Sequence, residues 1–211
     1  MKSFKRTNCS SKILENKGNE WLTAFELEAS LFEQANNWEE FWRIYKEQPL
    51  LTLLATGLSR ADSQRALSIL REYPVYQGGD FIGSSDLFLN YHVEKRHFYI
   101  EAKYERARWE TGFVMWSDEN FQKFLKETSY QLDSYIEAEH DKNFESYSVV
   151  LLFHIVDFKK EEDFEAYRAL ALKTPLSLES FYAFIPARNP NNSPYNTFGV
   201  LEVAGFFRMV H

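Results

Sequence analysis

Residues 85–104 read SDLFLNYHVEKRHFYIEAKY and contain two runs that predict strands, the second with alternating polar and apolar side chains. The first run carries Asp86, and the second carries Glu101 and Lys103. Successive side chains of a strand point to opposite faces, so Glu101 and Lys103 share one face while their apolar neighbours face the core. The polar stretch 93–96 predicts a hairpin connection, which would bring Asp86 beside Glu101.

This trio suggests phosphodiester chemistry. Two neighbouring carboxylates repel each other unless they share a divalent cation, and Mg²⁺ or Mn²⁺ prefers such oxygen ligands. A cation held by Asp86 and Glu101 could polarise a phosphate and activate a water, and Lys103 could orient that water or stabilise the developing charge. An incidental trio would instead leave Glu101 and Lys103 as a surface ion pair without a cleft.

The pattern resembles the PD-(D/E)XK nuclease superfamily. The match is Ser85-Asp86, fourteen further residues, and Glu101-Ala102-Lys103 on two successive strands. Ser85 stands where the family often has proline. The resemblance implies a restriction-endonuclease-like α/β fold, a Mg²⁺ or Mn²⁺ cofactor and hydrolysis of DNA, with RNA not excluded.

The long helix predicted after the second strand contains Gln131 and Tyr135. This pair is similar to the Q-x-x-x-Y motif of the RecB-like and lambda-exonuclease-like branch. The resemblance implies that both residues belong to the catalytic site and lie near the DNA backbone. Their four-residue spacing places them on one helix face.

The family also takes an acidic residue from an early helix. Glu26 is the preferred candidate for this role, because it lies in a helical pattern that begins near Gly18. Glu28, Asp62 and Glu72 remain alternatives.

The rest of the chain predicts an α/β fold with a central mixed sheet, helices on both faces and a helical N-terminal region. We expect a flexible arm over residues 1–16 and a single domain over 17–211. Within it we expect a helical part (17–74, including helices near 38–45 and 59–73), a catalytic core (75–158), and a closing helix and strands (159–211).

Composition limits the choice of partners. The chain has 211 residues and a net charge of -7, which argues against a non-specific DNA-coating protein and requires local cations for phosphate binding. Arg106, Arg108 and Trp109 lie in a predicted loop and are expected to contact nucleic acid, unless the tryptophan packs back on the core. Cys9 is the single cysteine, so no internal disulfide can form.

The main alternative to an enzyme is a binding or assembly subunit that keeps the nuclease fold within a larger nucleic-acid-processing or defence complex. A homodimer or a partner protein is compatible with the many aromatic residues. No apolar run is long enough to span a membrane, and we expect a cytoplasmic protein.

Overall fold

The computed structural model describes residues 3–36, 47–108, 119–139, 141–158, 160–187 and 198–210. These residues form seven strands and four helices. The strands are β1 (Phe4–Asn8), β2 (Leu67–Gln77), β3 (Asp80–Tyr91), β4 (Arg96–Arg108), β5 (Glu145–Phe158), β6 (Ser180–Ala187) and β7 (Phe198–Val210). The helices are α1 (Lys12–Asn36), α2 (Glu47–Ala61), α3 (Glu119–Ala138) and α4 (Glu161–Lys173).

All seven strands join one mixed sheet in the order β1-β6-β7-β5-β4-β3-β2. Strands β4 and β5 run parallel, and the other neighbouring pairs are antiparallel. Parallel neighbours need a crossover connection, and α3 lies within it. The apolar run 148–156 predicts a central strand covered on both faces, and β5 is buried along nearly its whole length. The α/β class with a mixed sheet and flanking helices is confirmed.

A hydrophobic core lies on each face of the sheet. Helices α1 and α2 cover the first core, and α3 and α4 cover the second. Alternate residues of β5 divide between them: Val149 and Leu151 lie in the first core, and Val150 and Leu152 lie in the second. Because side chains alternate along a strand, this division determines which residues of the neighbouring strands face α3.

The predicted flexible arm is wrong for most of its length. Phe4–Asn8 forms the edge strand β1, paired antiparallel with β6, and α1 begins at Lys12. The Arg6 guanidinium donates hydrogen bonds to the carbonyl oxygens of Ala171 (2.7 Å) and Thr174 (2.8 Å) at the end of α4. These bonds and the strand pairing anchor a segment too polar to be recognised as a strand.

The helix predicted over 59–73 is also wrong beyond Ala61. Residues 67–77 form β2, which therefore occupies the last part of the expected helical region. Pro74 lies within β2, where proline is tolerated because β2 is an edge strand: among the described strands it pairs only with β3. The helix predicted near 38–45 lies outside the described residues. In the part of the chain that is described, no helix is both long enough and apolar enough to cross a membrane.

Candidate active site

The site lies where strands β3 and β4 separate. Their backbone pairing ends at Leu87 and Ile100. Just beyond this pair, Ser85 Oγ accepts a hydrogen bond from Ile100 N (3.0 Å), and a carboxylate oxygen of Asp86 accepts one from Ala102 N (2.8 Å). Side chains thus take over from backbone pairing, and a fork opens between the two strands.

Asp86 and Glu101 meet at the base of this fork. Continuing the antiparallel register one step beyond Leu87 and Ile100 places Asp86 opposite Glu101. Burial raises the pKa of Glu101, the Lys103 hydrogen bond lowers it, and the negative charge of Asp86 raises it further; the net shift is upward. The structure therefore brings together the two carboxylates that the sequence predicted as neighbours.

Lys103 completes the trio. Its Nζ lies 2.8 Å from Glu101 Oε1, and these side chains are 37% and 12% exposed, so the pair is not an open surface ion pair. Burial alone would lower the pKa of Lys103. The hydrogen bond from Lys103 to Glu101 and the charges of Glu101, Glu47 and Asp86 outweigh burial and raise it. The ammonium is therefore held charged beside the carboxylates.

Glu47 is a site residue that the sequence analysis missed. It begins α2, and burial followed by the charge of Asp86 raises its pKa, with a smaller upward contribution from Glu101. The neighbouring Pro49 is a signal that could have located it, because proline favours the first turn of a helix and acidic residues favour the helix N-terminus.

Glu72, one of the alternatives left open by the sequence, also reaches the site. Its negative charge raises the pKa of both Glu47 and Glu101. Gln48 Nε2 donates a 3.0 Å hydrogen bond to Glu72 Oε1, which ties β2 to the first turn of α2. Helix α2 thus brings Glu47 to the fork, and its Gln48 holds Glu72 there.

The β2–β3 ribbon turns over at this point. Glu72 has a φ of 50°, a left-handed conformation that is uncommon for a residue with a side chain. Before Glu72, Leu67 and Ile69 pack on the first core; after it, Tyr73 and Val75 pack on the second. A one-residue change of phase moves side chains to the other face.

The Gln131/Tyr135 pair lies beside the fork. Gln131 Nε2 donates a 2.6 Å hydrogen bond to Tyr135 Oη, and Tyr135 is buried. A Cβ built on Gly83 would lie 2.2 Å from Tyr135 Oη, so the tyrosine packs directly against the β3 backbone three residues before Asp86. In this arrangement the pair supports the strand that carries Asp86.

Glu26 lies elsewhere. It forms an ion pair with Lys5 Nζ at 2.7 Å. Lys5 lies on β1, at the other edge of the sheet from β2. The alternatives Glu28 and Asp62 are also engaged away from the trio: Glu28 pairs with Arg60 at 2.8 Å, and Asp62 accepts hydrogen bonds from the amides of residues 66 and 67. Helix α2, rather than α1, contributes the acidic residue that interacts with Asp86 and Glu101.

The predicted nucleic-acid contacts lie along one strand. Arg106 and Arg108 continue β4 beyond Lys103, in register with Ile155 and Asp157 of β5, and so do not belong to a loop. Trp109 lies outside the described residues.

The donor set suits a hard cation. Within the described ranges, no three or more His, Cys, Asp or Glu side chains form a group that could hold a metal ion. Asp86 and Glu101 nevertheless supply two carboxylates, and Mg²⁺ commonly takes only one or two from a protein, with water and phosphate oxygens completing its shell. No protein-family model, curated protein or solved structure matches this chain.

Proposed function

We propose that this protein is a Mg²⁺- or Mn²⁺-dependent nuclease of the PD-(D/E)XK kind that hydrolyses phosphodiester bonds in DNA. The observation that carries the proposal is the meeting of Asp86, Glu101 and Lys103 where β3 and β4 separate. The resemblance predicts helix-strand-strand-helix-strand order over residues 60–158; strand β2 stands in place of that first helix, and β3, β4, α3 and β5 follow it.

Each residue of the trio has a distinct role. Asp86 and Glu101 would hold the cation, and the amide of Ala102 fixes one oxygen of Asp86. A bound Mg²⁺ or Mn²⁺ would polarise the scissile phosphate and make a water more acidic. Lys103, which stays protonated beside these carboxylates, orients the attacking water and stabilises the negative charge that develops on the phosphate.

Surrounding residues support this arrangement. Glu47 adds a carboxylate whose raised pKa suits it to accept a proton from the attacking water. Tyr135, with Gln131 bonded to it, holds β3 in place next to Asp86. Because the chain has a net charge of -7, phosphates must bind to local cations, and Lys103 of β4 is one of them.

The test is cleavage of plasmid, linear and single-stranded DNA and of RNA, with Mg²⁺, Mn²⁺ or a chelator. Wild type is compared with Lys103→Ala and with the matched control Lys173→Ala, which removes an exposed lysine at the end of α4. Metal-dependent cutting should fall by roughly 10²–10⁴-fold in Lys103→Ala alone. Wild-type protein that cuts none of these substrates would refute a self-sufficient nuclease and favour the assembly subunit.

A further inference from the structure

Strand β3 carries a serine whose hydroxyl contacts the backbone of both strands of the fork. Ser85 is fully buried. Its Oγ lies 3.0 Å from Leu87 O, 3.0 Å from Ile100 N and 2.9 Å from Ile100 O. Leu87 and Ile100 are the last register partners before β3 and β4 separate. The Ser85 hydroxyl therefore lies between the two strands, at the point where the fork begins.

The hydroxyl takes part in bonds that backbone groups make to each other in a regular sheet. In an antiparallel pair, an amide of one strand donates to a carbonyl of the other. Here Ile100 N donates to Ser85 Oγ, and Oγ donates its single proton to the carbonyl oxygen of Leu87 or of Ile100. An oxygen placed between an amide and a carbonyl needs more room than a direct N–H···O bond. Ser85 thus satisfies the backbone at the base of the fork and holds the strands apart.

The orientation of Asp86 depends on this separation. Continuing the register places Ser85 opposite Ala102, so regular pairing would direct the Ala102 amide to the backbone of Ser85. The Ala102 amide instead donates to Asp86 Oδ2, at 2.8 Å. Because an amide has one proton to donate, the carboxylate receives it only where the backbone of β3 does not. The Ser85 hydroxyl and the oriented Asp86 carboxylate are therefore parts of one arrangement.

We propose that Ser85 is a positioning residue, whose hydroxyl keeps the β3–β4 fork open so that Asp86 is directed at the cation. This inference rests on the proposed nuclease function. Groups that orient metal ligands affect metal binding nearly as strongly as the ligands themselves. Without the hydroxyl, the Ile100 amide needs another acceptor, and closer backbone pairing would supply one while taking the Ala102 amide away from Asp86. Proline, which the family often has at this position, carries no hydroxyl, so the resemblance does not imply this role.

The first test measures Mn²⁺ affinity by isothermal titration calorimetry, without substrate. Ser85→Ala should weaken Mn²⁺ binding by roughly 10-fold or more. Ser148→Ala is the matched control, because Ser148 is 1% exposed on β5 and its Oγ donates a 3.0 Å hydrogen bond to Asp133 Oδ1. This variant also loses a buried hydroxyl, but away from the fork, and should bind Mn²⁺ like wild type. Ser85→Cys, which has a weak donor and acceptor in place of the hydroxyl, is used if Ser85→Ala does not fold.

A double-mutant cycle with Asp86→Ala tests whether Ser85 acts through Asp86. Its readout is the hydrogen exchange rate of the Ala102 amide, measured by NMR without metal or substrate. Asp86→Ala should accelerate this exchange when Ser85 is present, because the amide loses its acceptor. In the Ser85→Ala protein, Asp86→Ala should leave the exchange rate unchanged, because the carboxylate no longer binds this amide. Likewise, Ser85→Ala should cause no further loss of Mn²⁺ affinity in an Asp86→Ala background.

Three outcomes would overturn the inference. The first is wild-type Mn²⁺ affinity in Ser85→Ala, and the second is an equal loss of affinity in Ser85→Ala and Ser148→Ala. The third is an effect of Asp86→Ala on the Ala102 amide that is the same with and without the Ser85 hydroxyl. The proposed function fails separately: if wild type neither binds Mn²⁺ nor cuts nucleic acid, the nuclease assignment is wrong, and the exchange cycle still decides whether Ser85 positions Asp86.

Discussion

Lys103 Nζ lies 2.8 Å from Glu101 Oε1, and both side chains project from the same face of β4. Their register partners on β5, Val150 and Leu152, lie in the second core, so the pair faces the side of the sheet that α3 covers. The ammonium thus places a positive charge beside the carboxylates. The same carboxylates keep the lysine protonated, and a bound cation must share them with it.

Lys103→Met should therefore separate metal binding from catalysis. Methionine keeps most of the apolar stem and removes the competing charge, so Mn²⁺ should bind several-fold more tightly while cleavage is lost. Glu101→Gln should lose both Mn²⁺ binding and cleavage, because it removes a metal ligand. Isothermal titration calorimetry measures the affinity for Mn²⁺. Weaker Mn²⁺ binding in Lys103→Met than in wild type would argue against the shared-carboxylate arrangement.

Glu72 should contribute to the acidic limit of activity. Burial and the charge of Asp86 raise the pKa of Glu101 and of Glu47, and the charge of Glu72 adds a smaller rise, so these carboxyls remain protonated to higher pH than usual. A protonated carboxyl neither holds a cation nor accepts a proton, so cleavage falls as pH decreases through these raised pKa values. In Glu72→Gln both pKa values should fall, and the acidic limb of the pH profile of kcat/KM should move to lower pH.

Gln48→Ala provides the control for this experiment. It removes the hydrogen bond to Glu72 Oε1 but leaves the negative charge in place. The acidic limb should then stay close to its wild-type position. Equal displacement in Gln48→Ala and Glu72→Gln would mean that the anchoring of β2, rather than the charge of Glu72, controls the limb.

The central strands could be predicted from sequence because their patterns are local. Alternation around Glu101 and Lys103 predicted strand β4, and the apolar run 148–156 predicted the buried strand β5; both are confirmed. The same alternation placed Glu101 and Lys103 on one face. These features depend only on the two-residue period of a strand, which the sequence displays directly.

Strand β2 and the contribution of Glu47 could not be predicted in this way. The left-handed Glu72 shifts the phase of β2, which breaks the alternation between Ile69 and Tyr73. In the sequence, Leu67 and Leu70 also stand at a helix-like spacing. Glu47 approaches Asp86 only through the packing of α2 against the sheet, a contact between distant parts of the chain. The helical pattern that begins near Gly18 favours Glu26, but helix packing directs this residue towards Lys5 instead.

Gly83 should be intolerant of any side chain. Its φ is 156°, and a Cβ there would meet Tyr135 Oη at 2.2 Å and Cζ at 2.7 Å. We expect Gly83→Ala to lower the free energy of unfolding by about 2–5 kcal/mol, combining backbone strain with overpacking. Chemical denaturation measures this change.

Two comparisons isolate the contact between Gly83 and Tyr135. Gly78→Ala, in the open turn of the same hairpin, should cost only the strain of a left-handed residue, about 1–2 kcal/mol. In a Tyr135→Ala background the obstructing ring is gone, so the additional cost of Gly83→Ala should shrink. An undiminished cost in that background would show that backbone strain, and not the tyrosine, requires glycine.

Glu202 should be the most sensitive polar residue of the core. It is 1% exposed; its Oε2 accepts a 2.8 Å hydrogen bond from Tyr167 Oη and lies 2.7 Å from His154 Nδ1, and Tyr182 Oη donates to its Oε1. Burial and the charge of Glu202 raise the pKa of both tyrosines, so they remain protonated donors. This one carboxylate joins β5, β6, β7 and α4.

Glu202→Ala should therefore lower the free energy of unfolding by about 3 kcal/mol or more, since several buried donors lose their acceptor together. Tyr167→Phe should lower it by about 1.5–3 kcal/mol, the usual worth of a hydrogen bond to a charged group. Urea denaturation measures both. Cleavage per folded molecule should be unchanged in Tyr167→Phe, because α4 lies away from the fork between β3 and β4. A Tyr167→Phe protein as stable as wild type would mean that His154 and Tyr182 alone satisfy Glu202.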